Sequence, residues 1–162
     1  MENVHLNLAR KLVDLLKRKF RERLISVAVF GSVARGEARK DSDIDVLVVI
    51  ENPPKSRIRR QLEFAEAEKD LENLKDELID KGYFIDFSPL ILSPEEVKNH
   101  PPILLDMVED AIILYDKNDF LRKTLENLKE KLRKLGAKRV RIGKRWYWIL
   151  KPDYKFGEVI EI

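Results

Sequence analysis

The sequence predicts an α/β chain of alternating helices and strands, and three observations carry that expectation. Val4, Leu8, Leu12, Leu15, Leu16 and Phe20 recur at three- and four-residue steps, the period of an amphipathic helix over residues 4–20. Two apolar runs, 24–30 and 44–50, have strand length and are separated by a glycine-serine interruption and a polar stretch. A third such run, 83–92, follows a long helical pattern, so strands and helices alternate along the chain.

The remaining elements follow in order. Asn52, Pro53 and Pro54 close the second strand, and Ser56 can cap a helix running to about residue 80. That helix would turn Leu62, Ala65, Leu71, Leu74 and Leu78 inward and stop at Gly82. Ser93, Pro94 and Glu96 make a capping box with proline at the first helical position, which starts a short helix that breaks near Pro101 and Pro102. A second short helix is expected over 103–110, a strand over 111–116, and a helix over 118–135 ended by Gly136. The final stretches "RVRIGKRWYWIL" and "FGEVIEI" predict two strands joined through "KPDY".

At 162 residues the chain is expected to form one compact unit: a core over 1–116 with a C-terminal helix-and-strand appendage, 117–162, packed on it. No run of 18 apolar residues, no signal peptide and no cysteine is present, so a membrane span and a disulfide frame are excluded and a cytoplasmic location is expected. Charged residues make up 38% of the chain with only two methionines, a composition typical of thermophilic chains. Charge is unevenly placed: residues 1–116 carry net −5 and residues 117–162 net +8. Between Lys131 and Arg145 stand eight basic residues and no acidic one, which points to a polyanion or an acidic partner.

The chemistry concentrates in "FGSVARGEARKDSDIDVLVVI", residues 30–50. Asp43 and Asp45 are two apart at the mouth of a strand, so they project from one face about 7 Å apart along it. Like charges so close repel, and a divalent cation removes the conflict. Hard oxygen ligands suit Mg²⁺, which takes one or two carboxylates together with phosphate oxygens. The Gly31-Ser32 turn, with close-approaching backbone N–H groups and a hydroxyl, can seat the phosphate. Asp86, inside the apolar stretch 84–87, is a third carboxylate that would join the pair if its strand lies beside 44–50. Three such carboxylates suit two-metal phosphoryl transfer. Arg35 can hold phosphate or serve as an exposed helix-face arginine, and Asp41 is expected to be a loop or cap residue.

Gly31-Ser32, Ala34-Arg35-Gly36, Ser42-Asp43-Ile44-Asp45 and the later Asp86 together resemble the polymerase-beta-like nucleotidyltransferase superfamily, and within it the minimal nucleotidyltransferases of archaea and bacteria. The resemblance covers about residues 5–116 and is most specific over 30–50. It implies a mixed sheet flanked by helices, two Mg²⁺ ions, and transfer of a nucleoside monophosphate, AMP from ATP, to a hydroxyl with release of pyrophosphate. Asp43 and Asp45 would bridge the metals, Asp86 would bind metal and help activate the acceptor, and Gly31 and Ser32 would grip the triphosphate. It further implies a HEPN-type protein as partner, in a toxin-antitoxin pair. A small-molecule acceptor, as in aminoglycoside nucleotidyltransferases, is the second enzymatic reading. A non-catalytic nucleotide-binding antitoxin or interaction module is the third, and the intact triad weighs against it.

In the tail, Lys138, Arg139, Arg141, Lys144 and Arg145 are expected on one side, contacting RNA or an acidic surface or simply solvated. Trp146, Tyr147 and Trp148 alternate on a strand and are expected to pack in the core or sheet, or alternatively, interleaved with Arg141, Lys144 and Arg145, to stack bases. His5 is expected at the surface and His100 in a loop.

Overall fold

The computed structural model describes residues 3–162. Helix α1 (Val4–Phe20) forms as its period predicts, with the Asn3 side chain accepting the Leu6 N–H at 3.0 Å as a cap. The chain then lays down β1 (Leu24–Phe30), a one-turn helix α2 (Gly31–Ala34) and β2 (Ile44–Ile50). After α3 (Arg57–Glu68) and α4 (Glu72–Asp80) come β3 (Phe87–Leu92), α5 (Pro94–Lys98), β4 (Ile112–Asp116) and α6 (Phe120–Leu135). The hairpin β5 (Lys138–Ile142) and β6 (Arg145–Ile149) follows.

The first four strands make a mixed sheet in the order β3-β2-β1-β4, with β2 parallel to β3 and β1 antiparallel to both of its neighbours. Helices cover both faces, which is why β1 and β2 are near-continuous apolar runs rather than alternating ones. On one face Val27, Val29, Val46 and Val48 meet Leu8, Leu12 and Leu16 of α1 and Phe64, Leu71 and Leu78 beyond. On the other, Ala28, Phe30, Leu47 and Val49 meet Leu121, Leu125, Leu128 and Leu132 of α6, with Leu104 and Met107. By strand alternation Asp45 belongs to this second face, at its open end.

Several expectations are corrected. The helix expected over 56–80 is two helices, broken by a 3₁₀ turn at Lys69–Leu71. Leu62 is 59% exposed and Ala65 is also exposed, because Phe64 takes the core position and meets Phe87 edge-on at 6.0 Å. The third strand starts at Phe87 rather than 83, since the preceding loop bonds elsewhere, with Phe84 N–H donating to Lys40 O. A 3₁₀ turn, Pro102–Asp106, replaces the helix expected over 103–110. "FGEVIEI" forms no strand, and β5 and β6 both come from the preceding stretch, paired across Gly143. His5 is buried, not superficial, and His100 is a loop residue buried by an Nδ1 contact to Ile162 O at 2.8 Å.

Asp116 ties the sheet to α6. Its Oδ1 accepts from Ser26 Oγ at 2.7 Å and Leu121 N–H at 2.8 Å, and its Oδ2 from Arg122 N–H at 2.9 Å. Asp116→Ala strips the helix start of its acceptor and orphans the fully buried Ser26, so it is expected to cost about 2 kcal/mol in denaturant unfolding. An unchanged denaturation midpoint would contradict that role.

Candidate active site

The site lies where β1 hands over to α2 beside the start of β2. Phe30 pairs with Asp45 across the antiparallel ladder, so the residue after it, Gly31, passes directly over the Asp45 carboxylate. A Cβ on Gly31 would sit 2.2 Å from Asp45 Oδ2, and its φ of +73° lies in the left-handed region. Both facts demand glycine there. The Gly31-Ser32 segment expected as a turn is the start of α2, closed by Arg35 N–H to Gly31 O at 3.1 Å and Glu37 N–H to Ser32 O at 2.9 Å. Arg35 points back along this turn to Glu37, Nε to Oε2 3.4 Å.

Asp43 stands exposed just before β2, held by the loop that leads into it. The Ser42 carbonyl contacts His5 Nε2 at 3.2 Å, and Ser42 Oγ accepts the Arg39 N–H at 2.8 Å. His5 thus contacts the loop that carries Asp43, a contact that sequence reasoning missed, since a lone histidine on a helix carries no signal of what packs over it. Asp41 is an exposed turn residue, as expected.

Asp86 comes beside this pair through the parallel register, in which Ile44 faces Phe87 and Asp45 faces Ser88. Ile44 N–H donates to Asp86 O at 2.9 Å, and Asp86 N–H donates to Asp43 Oδ1 at 3.3 Å. Its side chain, however, is 75% exposed and salt-bridged to Lys75 of α4, Oδ1 to Nζ 2.8 Å. The expected buried position inside an apolar stretch is therefore corrected: Phe84 is itself 60% exposed, and Asp86 precedes the strand rather than lying within it. Burial alone would push the Lys75 ammonium down, but hydrogen bonds to Asp86 and Glu68 outweigh it and hold it up.

Burial raises the Asp45 carboxyl above the usual carboxylate range, and the Asp43 charge adds to the effect; Arg35 opposes it and Asp106 adds a little more. Asp106 is a further carboxylate at the site that no spacing pattern singled out, because it comes from the 3₁₀ turn beyond β3. The repulsion between Asp43 and Asp45 that their spacing predicts is thus present in the folded chain. Their all-oxygen donor set fits a hard divalent cation completed by phosphate and water oxygens. Among the described residues no three His, Cys, Asp or Glu side chains converge tightly enough to hold a metal by themselves.

Two cavities meet at Asp45. One, of about 350 Å³, is lined by Gly31, Arg35, Asp45 and Asp106 on one side and Lys144 to Tyr147 of the hairpin on the other. The second, of about 630 Å³, is lined by Phe30, Asp45, Ser88, Leu90, Pro102 and Ile103 among others and is more apolar. Arg57 also reaches it.

The hairpin does not present its five cations on one side. Lys138 and Arg139 are neighbours on β5 and point to opposite faces. Arg139 is 8% exposed and paired with Asp110 at 2.6 Å, and Arg141 pairs with Glu37 at 2.9 Å. Both guanidiniums lie over the Trp146 ring, at 4.3 and 5.3 Å, so that tryptophan packs within the hairpin as expected.

A mixed sheet with helices on both faces, a Gly-Ser turn pressed on an Asp-x-Asp strand mouth, and an aspartate registered beside it define a nucleotidyltransferase. The chain belongs to the nucleotidyltransferase domain family, whose model matches residues 9–104, and within it to the minimal, polymerase-beta-like type. It is 32% identical over 142 residues to a candidate protein adenylyltransferase of Methanocaldococcus jannaschii, covering 86% of this chain and 91% of that one. It is 45% identical over 60 residues to the protein adenylyltransferase MntA of Thermococcus cleftensis, covering 36% of this chain and 56% of that one. Among solved structures, the complex of a tri-AMPylated HEPN toxin with its MNT antitoxin from Shewanella oneidensis overlaps at 15% identity and a TM-score of 0.45, over 82% of this chain and 93% of that one. No described helix is long and apolar enough to cross a membrane.

Proposed function

We propose that the protein transfers AMP from ATP, with Mg²⁺, to a hydroxyl of a protein acceptor, and that the acceptor is a HEPN-type partner. The observation that carries this is the contact of Gly31 with Asp45: the phosphate-gripping turn and the metal carboxylate are pressed together, which brings the triphosphate to the metal. The names of the relatives support a protein acceptor, and the resemblance of residues 30–50 supports the HEPN-type partner.

In this reading Asp43 and Asp45 hold the metal, Gly31 and Ser32 hold the triphosphate, and Arg35 adds charge once Glu37 releases it. Held there, Mg²⁺ would supply charge neutralisation of the phosphates for in-line displacement. The acceptor oxygen forms a bond to the α-phosphorus, the bond from that phosphorus to the bridging oxygen breaks, and pyrophosphate leaves with the electron pair. Asp86, once freed from Lys75, would receive the hydroxyl proton on one carboxylate oxygen and could offer the other to the metal.

The test is to offer ATP labelled at the α- or the γ-phosphate. Label from the α position alone is expected in the acceptor, with pyrophosphate released; γ-label in the acceptor would show phosphoryl transfer instead and overturn the proposal. The roles within the site separate kinetically. Ser32→Ala is expected to weaken ATP binding about tenfold, the value of a hydrogen bond to a charged group. Asp86→Ala is expected to lower turnover at nearly unchanged ATP affinity. The reverse pattern in titrations would exchange the two assignments.

A further inference from the structure

The hairpin closes one wall of the cleft at Asp45, and its cations are not equivalent. Within the basic run, Arg133 is paired with Glu130, Arg139 with Asp110 and Glu109, and Arg141 with Glu37. The side chains of Lys144 and Arg145, at the hairpin tip, have no ion-pair or hydrogen-bonded partner among the described residues, and both residues line the cleft that holds Gly31, Arg35 and Asp45. The hairpin is tied to the rest of the fold at three places. Trp148 Nε1 donates to Leu105 O at 3.0 Å, Arg139 is anchored on Asp110, and Arg141 bridges to Glu37 beside the Gly-Ser turn.

We propose that Lys144 and Arg145 are polyphosphate-binding residues, which grip the β- and γ-phosphates of the nucleoside triphosphate and make the C-terminal hairpin part of the nucleotide site. This rests on the nucleotide reading of the cleft given above and adds residues far outside the matched span 9–104. The physical need is charge. Among the described residues Arg35 is the one basic side chain that the core supplies to this cleft, and Glu37 already partners it. Asp45 and Asp106 add negative charge at the same place. A triphosphate entering between them requires cations from the opposite wall, and the tip provides two that are uncommitted. A planar guanidinium and a mobile ammonium suit phosphate oxygens by charge-assisted hydrogen bonds.

The experiment compares ATP and AMP binding by titration in the full-length protein, in the presence of Mg²⁺. Lys144→Ala/Arg145→Ala is expected to weaken ATP about tenfold or more and AMP less than twofold, because AMP lacks the phosphates these residues hold. Lys144→Glu/Arg145→Glu is expected to weaken ATP further. Lys134→Ala/Lys138→Ala removes the same charge away from the cleft and is expected to leave both affinities within twofold. Equal losses for ATP and AMP would make the tip merely structural and overturn the proposal, as would equal losses in the tip and control variants or no loss at all. A wild-type protein that binds neither nucleotide would instead overturn the nucleotide reading itself, so the two failures are distinguishable.

Discussion

Asp43→Asn and Asp45→Asn are each expected to reduce nucleotidyl transfer by about a thousandfold or more, since the charge stabilisation that the proposed metal site would supply is worth several kcal/mol. The fold is expected to survive both changes. Asp45 is raised above the usual carboxylate range by burial and by Asp43, so the folded apo protein holds its proton more tightly than the unfolded chain does. Ionised Asp45 therefore opposes folding above the ordinary carboxylate pKa, and that penalty disappears as pH falls below it. In chelator at neutral pH, Asp45→Asn is expected to unfold at a higher temperature than wild type, with the gap closing in acid. Mg²⁺ is expected to raise the melting temperature of wild type and not of either variant. Wild-type turnover in either variant would remove that carboxylate from the metal site.

Gly31→Ala is the second large effect and needs no change of charge. The new methyl would lie 2.2 Å from Asp45 Oδ2, in a residue whose φ is +73°. Either the turn shifts off β2 or the Asp45 carboxylate rotates away, and both separate the proposed phosphate grip from the proposed metal ligand. The left-handed backbone alone costs about 1–3 kcal/mol of strain. The account expects lowered stability together with near-complete loss of transfer. A double variant, Gly31→Ala/Asp45→Asn, tests the contact directly: its stability loss should differ measurably from the sum of the two single changes, since the residues touch. Additivity would mean that the contact carries no energy.

Much of the core was legible because it is written in periodicity. Both central strands, the first helix, the capping box at Ser93 and Glu96, and the stop at Gly136 fall where local chemistry places them. Errors arose where tertiary partners decide. Leu62 and Ala65 fit a helical stripe as well as Phe64 and Ala67 do, and packing in the core, the Phe87 ring included, selects between the two faces. The start of β3 moved to Phe87 because the Lys40 carbonyl captures the preceding loop. In the site, the close pair Asp43 and Asp45 could be found by spacing. The Lys75 partner of Asp86, the nearness of Asp106 to Asp45 and the His5 contact to Ser42 could not, because each joins different elements of the fold. The basic run was visible as composition, yet its division between committed and free cations depends on Asp110 and Glu37, which no local pattern connects to it.

The most direct measurement is transfer of label from α-labelled ATP onto a HEPN-type protein, with Mg²⁺ and with chelator, beside an aminoglycoside acceptor and the Asp43→Asn variant. The account predicts Mg²⁺-dependent label on the protein acceptor alone, absent with chelator and with the variant. Nucleotide binding without label on any acceptor, or label on the aminoglycoside and not on the protein, would contradict it.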